Sequence, residues 1–280
     1  MWNLARWAIK CALLPYGALA RERRPGVTVL AYHRVGGGTG GQIDLPVTLF
    51  DWQMGYLSER CRVISLDEVA AAARDGTDGP EAVAITFDDG YADLYQQAFP
   101  ILRRHRLPAT VYLATQFMEE GVLKGGRGQG GASEARPLTW AQAAEMAGSG
   151  LITIGAHTHH HADLGLLPGE KVEEELDAAD SLIEARLGVR PAHFSYPWGR
   201  FTSAAQICAA RRYRTVAVGG VRKNPYGAID VTMLRRTPVL RSDGRVFFRL
   251  KLGSYLVGEE WIRARADDRS ARRAGRALVT

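Results

Sequence analysis

Apolar and β-branched residues come in short runs along this chain, each followed by glycine or polar residues: VTVLAYH at 27–33, AVAITF at 82–87, ATVYLA at 109–114, LITIGAH at 151–157, AHFSYP at 192–197, TVAVGG at 215–220 and LRRTPVL at 234–240. Runs of this length and composition predict β-strands. Between them, around 48–60, 66–74, 91–105, 139–147, 169–187 and 202–212, apolar residues recur at helical spacing. The clearest helix is 169–187, with Val172, Leu176, Ala179, Ile183 and Leu187 on one stripe and Gly188 placed to end it. Strands that alternate with helices predict parallel βαβ units. About seven such units predict an α/β fold of the distorted (β/α) barrel type rather than an open sheet. One stretch breaks the pattern: EEGVLKGGRGQGGASEARP, residues 119–137, has six glycines and no apolar period. It predicts a loop. Because it follows a strand it would lie on the C-terminal face of a barrel, as a surface excursion or as a flap over the site.

Composition narrows this little. The 280 residues are 46% hydrophobic and 24% charged, which suits one large core or two modest ones. Cys11, Cys61 and Cys208 have no metal-like spacing and cannot all pair, so no disulfide framework is implied. Charge is more informative. Of the net +6, residues 1–24 carry +4 and residues 261–280 another +4, leaving the body slightly acidic. The chain therefore divides into a basic N-terminal segment (1–24), a body (25–258) and a basic tail (259–280). Nothing in the body favours nucleic acid. Between Trp7 and Ala20 the chain is mostly apolar but is interrupted by Lys10 and Pro15, and it falls short of the roughly 20 residues of a spanning helix. Three readings stay open for this segment. It could be a secretory signal with ALA at 18–20, an interfacial helix using Trp2, Trp7 and the arginines for peripheral membrane association, or a helix packed on the body. A cytoplasmic or membrane-associated location is favoured over export.

The candidate chemistry begins at AITFDDG, residues 84–90, where a strand ends on Asp88 and Asp89. Adjacent carboxylates raise each other's cost of ionising, and a metal bound by one of them removes that cost. The fourth strand runs into GAHTHHHADL, which holds four of the seven histidines of the chain. His157 and His161 are four residues apart, so a turn could aim both at one point. Two imidazoles and one carboxylate with open positions suit zinc or a similar divalent ion used for hydrolysis.

TFDDG followed by HTHHH, which fits H-[S/T]-x-x-H, resembles the polysaccharide deacetylases of carbohydrate esterase family four. The resemblance runs from Val27 to Leu240 and includes LTWAQAAEMAGSG and FSYPWG at 194–199. It implies that Asp89, His157 and His161 bind the metal (zinc, with cobalt or nickel as alternatives) and that Asp88 is the general base. It implies also that water attacks the acetamide carbonyl of an N-acetylated glycan. The backbone N–H of Trp198 would then face the oxyanion, and its ring would wall the acetyl pocket. His159 and His160 fall at variable positions of the motif.

Two departures from the family pattern stand out. Ser195 occupies the place of an arginine that orients the base, and an F-x-Y-P core of this kind resembles the branch acting on exported poly-N-acetylglucosamine. Arg235 and Arg236 are candidates to replace that guanidinium. The final L-x-H motif, whose histidine protonates the leaving amine, is also missing: the strand reads LRRTPV. His33, at the end of the first strand, is the candidate acid, with protonated Asp88 as the alternative. Metal-dependent hydrolysis of a non-carbohydrate amide, as in related amidases on this fold, is a second reading, and glycan binding without turnover, which the two missing groups suggest, is a third.

Overall fold

In a computed structural model, which describes residues 2–123 and 135–260, all seven predicted runs form strands. They are β1 (Gly26–Tyr32), β2 (Ala82–Phe87), β3 (Ala109–Leu113), β4 (Ile152–Ala156), β5 (His193–Ser195), β6 (Thr215–Gly219) and β7 (Leu234–Pro238). Each pairs in parallel with the next, and β7 returns to pair with β1, so the sheet closes into a barrel in strict chain order. The ring is uneven. Six residue pairs join β1 to β2, whereas β4 meets β5 only at Ala156 and Phe194. Strands buried on both faces need continuous apolar runs, and β1, β2 and β3 are buried at every residue.

Nine α-helices are found among the described residues: α1 (Trp2–Ala20), α2 (Val47–Arg60), α3 (Leu66–Asp75), α4 (Phe99–His105), α5 (Thr115–Glu120), α6 (Trp140–Gly148), α7 (Gly169–Leu187), α8 (Ser203–Arg212) and α9 (Gly244–Leu252). The α7 stripe faces inward as the spacing predicts, and Gly188 closes the helix in the left-handed region at φ 69°. The predicted helix over 91–105 is in two parts, a π-helical turn at Leu94–Ala98 and then α4. The first two residues of the predicted loop, 119 and 120, belong to α5, and residues 124–134 lie outside the described part, as do 261–280 of the predicted basic tail.

The N-terminal segment packs on the body. In α1, Trp7 meets the edge of Phe247 at 6.4 Å and Lys10 pairs with Asp243 and Glu259. A Cβ at position 17 would come within 1.7 Å of the Tyr255 carbonyl oxygen, so glycine there permits the close approach. Among the described residues no helix is long and apolar enough to cross a membrane.

Candidate active site

Because all seven strands are parallel, everything that follows a strand lies at one end of the barrel. His33 follows β1, Asp88 and Asp89 follow β2, His157 and His161 follow β4, and Trp198 follows β5. Arg236 reaches the same place from within β7. The turns that carry these groups are unusual. Asp89, Thr158, His161 and Trp198 all have positive φ, at 74°, 62°, 54° and 62°. Such conformations cost on the order of 1–3 kcal/mol each, and a β-branched residue such as Thr158 adopts them rarely. The surroundings hold them. The backbone N–H of Ala162 donates to Thr158 Oγ1 at 3.1 Å, and the N–H groups of Thr115 and Gln116 donate to the carbonyls of Thr158 and His159 at 3.3 and 2.8 Å. Glu175, buried on α7, accepts from the His160 backbone N–H at 2.9 Å and from its Nδ1 at 2.5 Å.

The left-handed turn at Asp89 separates the two carboxylates. Asp89 joins the histidines: its Oδ1 lies 3.5 Å from His157 Nε2 and 3.2 Å from His161 Nε2, and all three residues are buried. His157 donates from Nδ1 to the Ser195 carbonyl at 2.7 Å, so its Nε2 presents a lone pair to Asp89. Burial lowers the His157 pKa to about 4, so this imidazole is neutral near pH 7. Burial also opposes the Asp89 charge, but His161, with His33 and His157, outweighs it and holds the carboxyl far below the usual range. The buried Oδ1 has no well-formed hydrogen bond. Two ring nitrogens and one carboxylate oxygen, all within 4.8 Å of one another, fit a divalent cation.

Asp88 turns to a different partner. Arg236 grips both its oxygens, NH1 to Oδ1 at 2.6 Å and NH2 to Oδ2 at 2.8 Å. The guanidinium also donates to Ser195 Oγ at 2.6 Å and to Thr86 Oγ1 at 3.2 Å, and it lies 5.2 Å from the Tyr112 ring centroid. Burial opposes ionisation of Asp88, yet Arg236, helped by His157 and His33, more than reverses this and sets the carboxyl below the usual range. Of the two candidate arginines the structure brings only Arg236 inward. Arg235 is exposed, since neighbours on a strand face opposite ways. Ser195, in the position where the resemblance expects an arginine, hydrogen-bonds the arginine that arrives from β7 instead.

His33 Nε2 stands 3.8 Å from Asp88 Oδ2, partly exposed. Trp198 is also partly open to solvent, with its ring edge-on to His161 at 4.8 Å between centroids. His159 and His160 point elsewhere: His159 Nδ1 meets Thr115 Oγ1 at 2.8 Å, and His160 is held by Glu175. Downstream of the glycine-rich segment the chain is stitched to the aspartate turn. Ala92 N–H donates to the Arg136 carbonyl and Leu138 N–H to the Gly90 carbonyl, each at 2.8 Å. Two supports went unread in the sequence. Glu175 lies on the edge of the α7 stripe, where a helical projection would have exposed it as a buried acid. Ser195 carries no signal of its own, because its role depends on which arginine reaches it.

The pattern described as polysaccharide deacetylase matches residues 75–216, just over half of the chain. The Bacillus subtilis (strain 168) protein YxkH is 28% identical over 182 residues, which is 64% of this chain and 59% of that protein. The poly-beta-1,6-N-acetyl-D-glucosamine N-deacetylase of Escherichia coli (strain K12) is 32% identical over 109 residues, 38% of this chain. The match spans only 16% of the length of that enzyme. Among solved structures, the Streptococcus pyogenes deacetylase PplD in complex with acetate superposes with a TM-score of 0.70, covering 82% of this chain and 99% of that one at 22% identity. IcaB from Ammonifex degensii does so with 0.67, covering 82% and 97%, also at 22% identity. At such identities the structures speak for the fold, a closed (β/α) barrel. The sequence match, together with an aspartate pair and two histidines brought to one end of that barrel, makes this chain a member of the polysaccharide deacetylase family.

Proposed function

We propose that the protein is a metal-dependent N-deacetylase that hydrolyses the acetamide of an N-acetylated amino sugar in a polysaccharide or glycoconjugate. The observation that carries this reading is the division of two adjacent aspartates between a buried His–His–Asp cluster and a buried guanidinium. Asp89, His157 and His161 would hold the ion. A divalent cation, when bound there, supplies the positive charge that polarises the amide carbonyl and acidifies a water. We assign zinc, with cobalt or nickel as alternatives, because two imidazoles with one carboxylate suit these ions.

Asp88, kept ionised and fixed in direction by Arg236, takes a proton from the attacking water as the carbon–oxygen bond forms. The Trp198 backbone N–H is the donor assigned to the developing oxyanion, and the Trp198 ring walls the acetyl group. His33 passes a proton to the amine nitrogen as the carbon–nitrogen bond breaks, which yields acetate and a free amine. The F-x-Y-P core and the name of the Escherichia coli relative support poly-N-acetylglucosamine or a similar glycan as the substrate. For α1 we assign a separate role at a lipid surface, with a cytoplasmic or membrane-associated location.

The test is acetate release from a panel of N-acetylated glycans by chelator-stripped protein, with and without added zinc, cobalt or nickel. The expected result is release from a glucosamine polymer that depends on added metal. Release from none of the glycans, with hydrolysis of a non-sugar acetamide instead, would replace the substrate class. Metal-loaded protein that binds glycan and releases nothing would leave a binding protein.

A further inference from the structure

We infer that the outward face of α1 docks on an anionic lipid surface. The roll of this helix is set by buried charge. Lys10 is only 4% exposed and pairs with Asp243 and Glu259, and Lys251 of α9 pairs with the same two acids from the other side. Gly17, two turns on, is pressed against the Tyr255 backbone. With its cation and its glycine turned inward, the helix shows solvent the residues that a water-facing helix normally hides. Trp7 is 55% exposed, Ile9 47%, Tyr16 54% and Leu19 79%, and Ala8, Ala12 and Pro15 are exposed with them. Leu13 packs inward on Gly258 and Trp7 touches Phe247 from the flank, so the helix is apolar on both sides, and exposed apolar surface of this kind marks an interaction face.

Charge decides what covers it. Arg6 lies near the start of the helix, and Arg21, Arg23 and Arg24 follow its end. Arg222 joins the two ends of the chain: its Nε donates to Glu260 at 3.0 Å and its NH1 to the Ala20 carbonyl at 3.2 Å. Arginines at both ends of an apolar face suit a bilayer with acidic headgroups, where apolar insertion and cationic attraction add. A second copy of the chain docked there would set the same positive ends against each other.

The test uses the full chain and vesicles of phosphatidylcholine with or without phosphatidylglycerol, with binding read by sedimentation. Binding should require the anionic lipid and weaken with salt. Ile9→Asp combined with Leu19→Asp should reduce it by roughly tenfold or more while the melting temperature stays unchanged. Equal binding by that variant, or no binding by the parent, would overturn the proposal. So would a parent that is dimeric, ignores vesicles and becomes monomeric on substitution. If the double variant melts early, tryptophan quenching of the parent by brominated lipid decides: quenching that Trp7→Phe diminishes supports docking, and its absence refutes it. Acetate release from a soluble glycan reports the hydrolase reading separately and does not enter this test.

Discussion

At the scale of single residues, one backbone dihedral does much of the work. Asp88 and Asp89 are neighbours, yet the positive φ of Asp89 sends its carboxylate to the histidines while Asp88 meets Arg236. The histidines and the aspartate pair could be found in the sequence because their spacing is local to one turn each. Arg236 could be narrowed only to one of two adjacent arginines, since the choice depends on which face of β7 lines the barrel. Ser195 supports the site through a contact between distant segments that no local pattern reports, whereas Glu175 shows as a buried acid once the α7 stripe is projected. His33 is the residue whose role is most open to experiment. If it protonates the leaving amine, His33→Gln should lower kcat on an N-acetyl sugar by roughly 10²- to 10⁴-fold. An activated ester, whose leaving group needs no proton, should be hydrolysed nearly as fast as by the parent. Equal losses on both substrates would place His33 among the supports of the site, and no loss on either would leave Asp88 as both base and acid.

At the scale of elements, the strands were legible because burial on both faces demands apolar runs, and α7 because its stripe is long and regular. α5 was not, being only six residues long after β3. α9 was not either, and its buried face shows why: it includes Lys251 alongside Phe247 and Phe248, so a hydrophobic count understates it. That lysine belongs to the ionic cluster that docks α1. Burial opposes the charge of Asp243, but Lys251 and Lys10 more than reverse this, and its carboxyl lies below the usual range. A depressed folded-state pKa stabilises fully above the unfolded value of about 4, and that contribution is lost as pH falls through the folded one. Asp243→Asn leaves Glu259 as the one carboxylate paired with two buried ammonium groups. It should cost about 3–5 kcal/mol at neutral pH and make the loss of stability below about pH 4 shallower than in the parent. Urea denaturation at neutral and acidic pH measures both, and an unchanged acid slope would remove Asp243 from the docking of α1.

At the scale of the whole molecule, the barrel is a sorting device. Seven parallel strands in chain order deliver groups separated by more than two hundred residues, from His33 to Arg236, to one rim. Outside the barrel, α1 packs against α9, joined to it through the Lys10, Asp243 and Lys251 cluster. A polar site and an apolar, cationic surface thus occupy different parts of one fold, and they can be tested apart. The division of tasks between the two adjacent aspartates, one for a metal and the other for a proton, underlies the proposed reaction. Metal content and acetate release measured side by side on the parent, Asp88→Asn and Asp89→Ala test this most directly. The account predicts that Asp88→Asn keeps the metal of the parent and loses turnover, whereas Asp89→Ala loses both. Equal metal loss in the two variants, or full metal retention by Asp89→Ala, would contradict it.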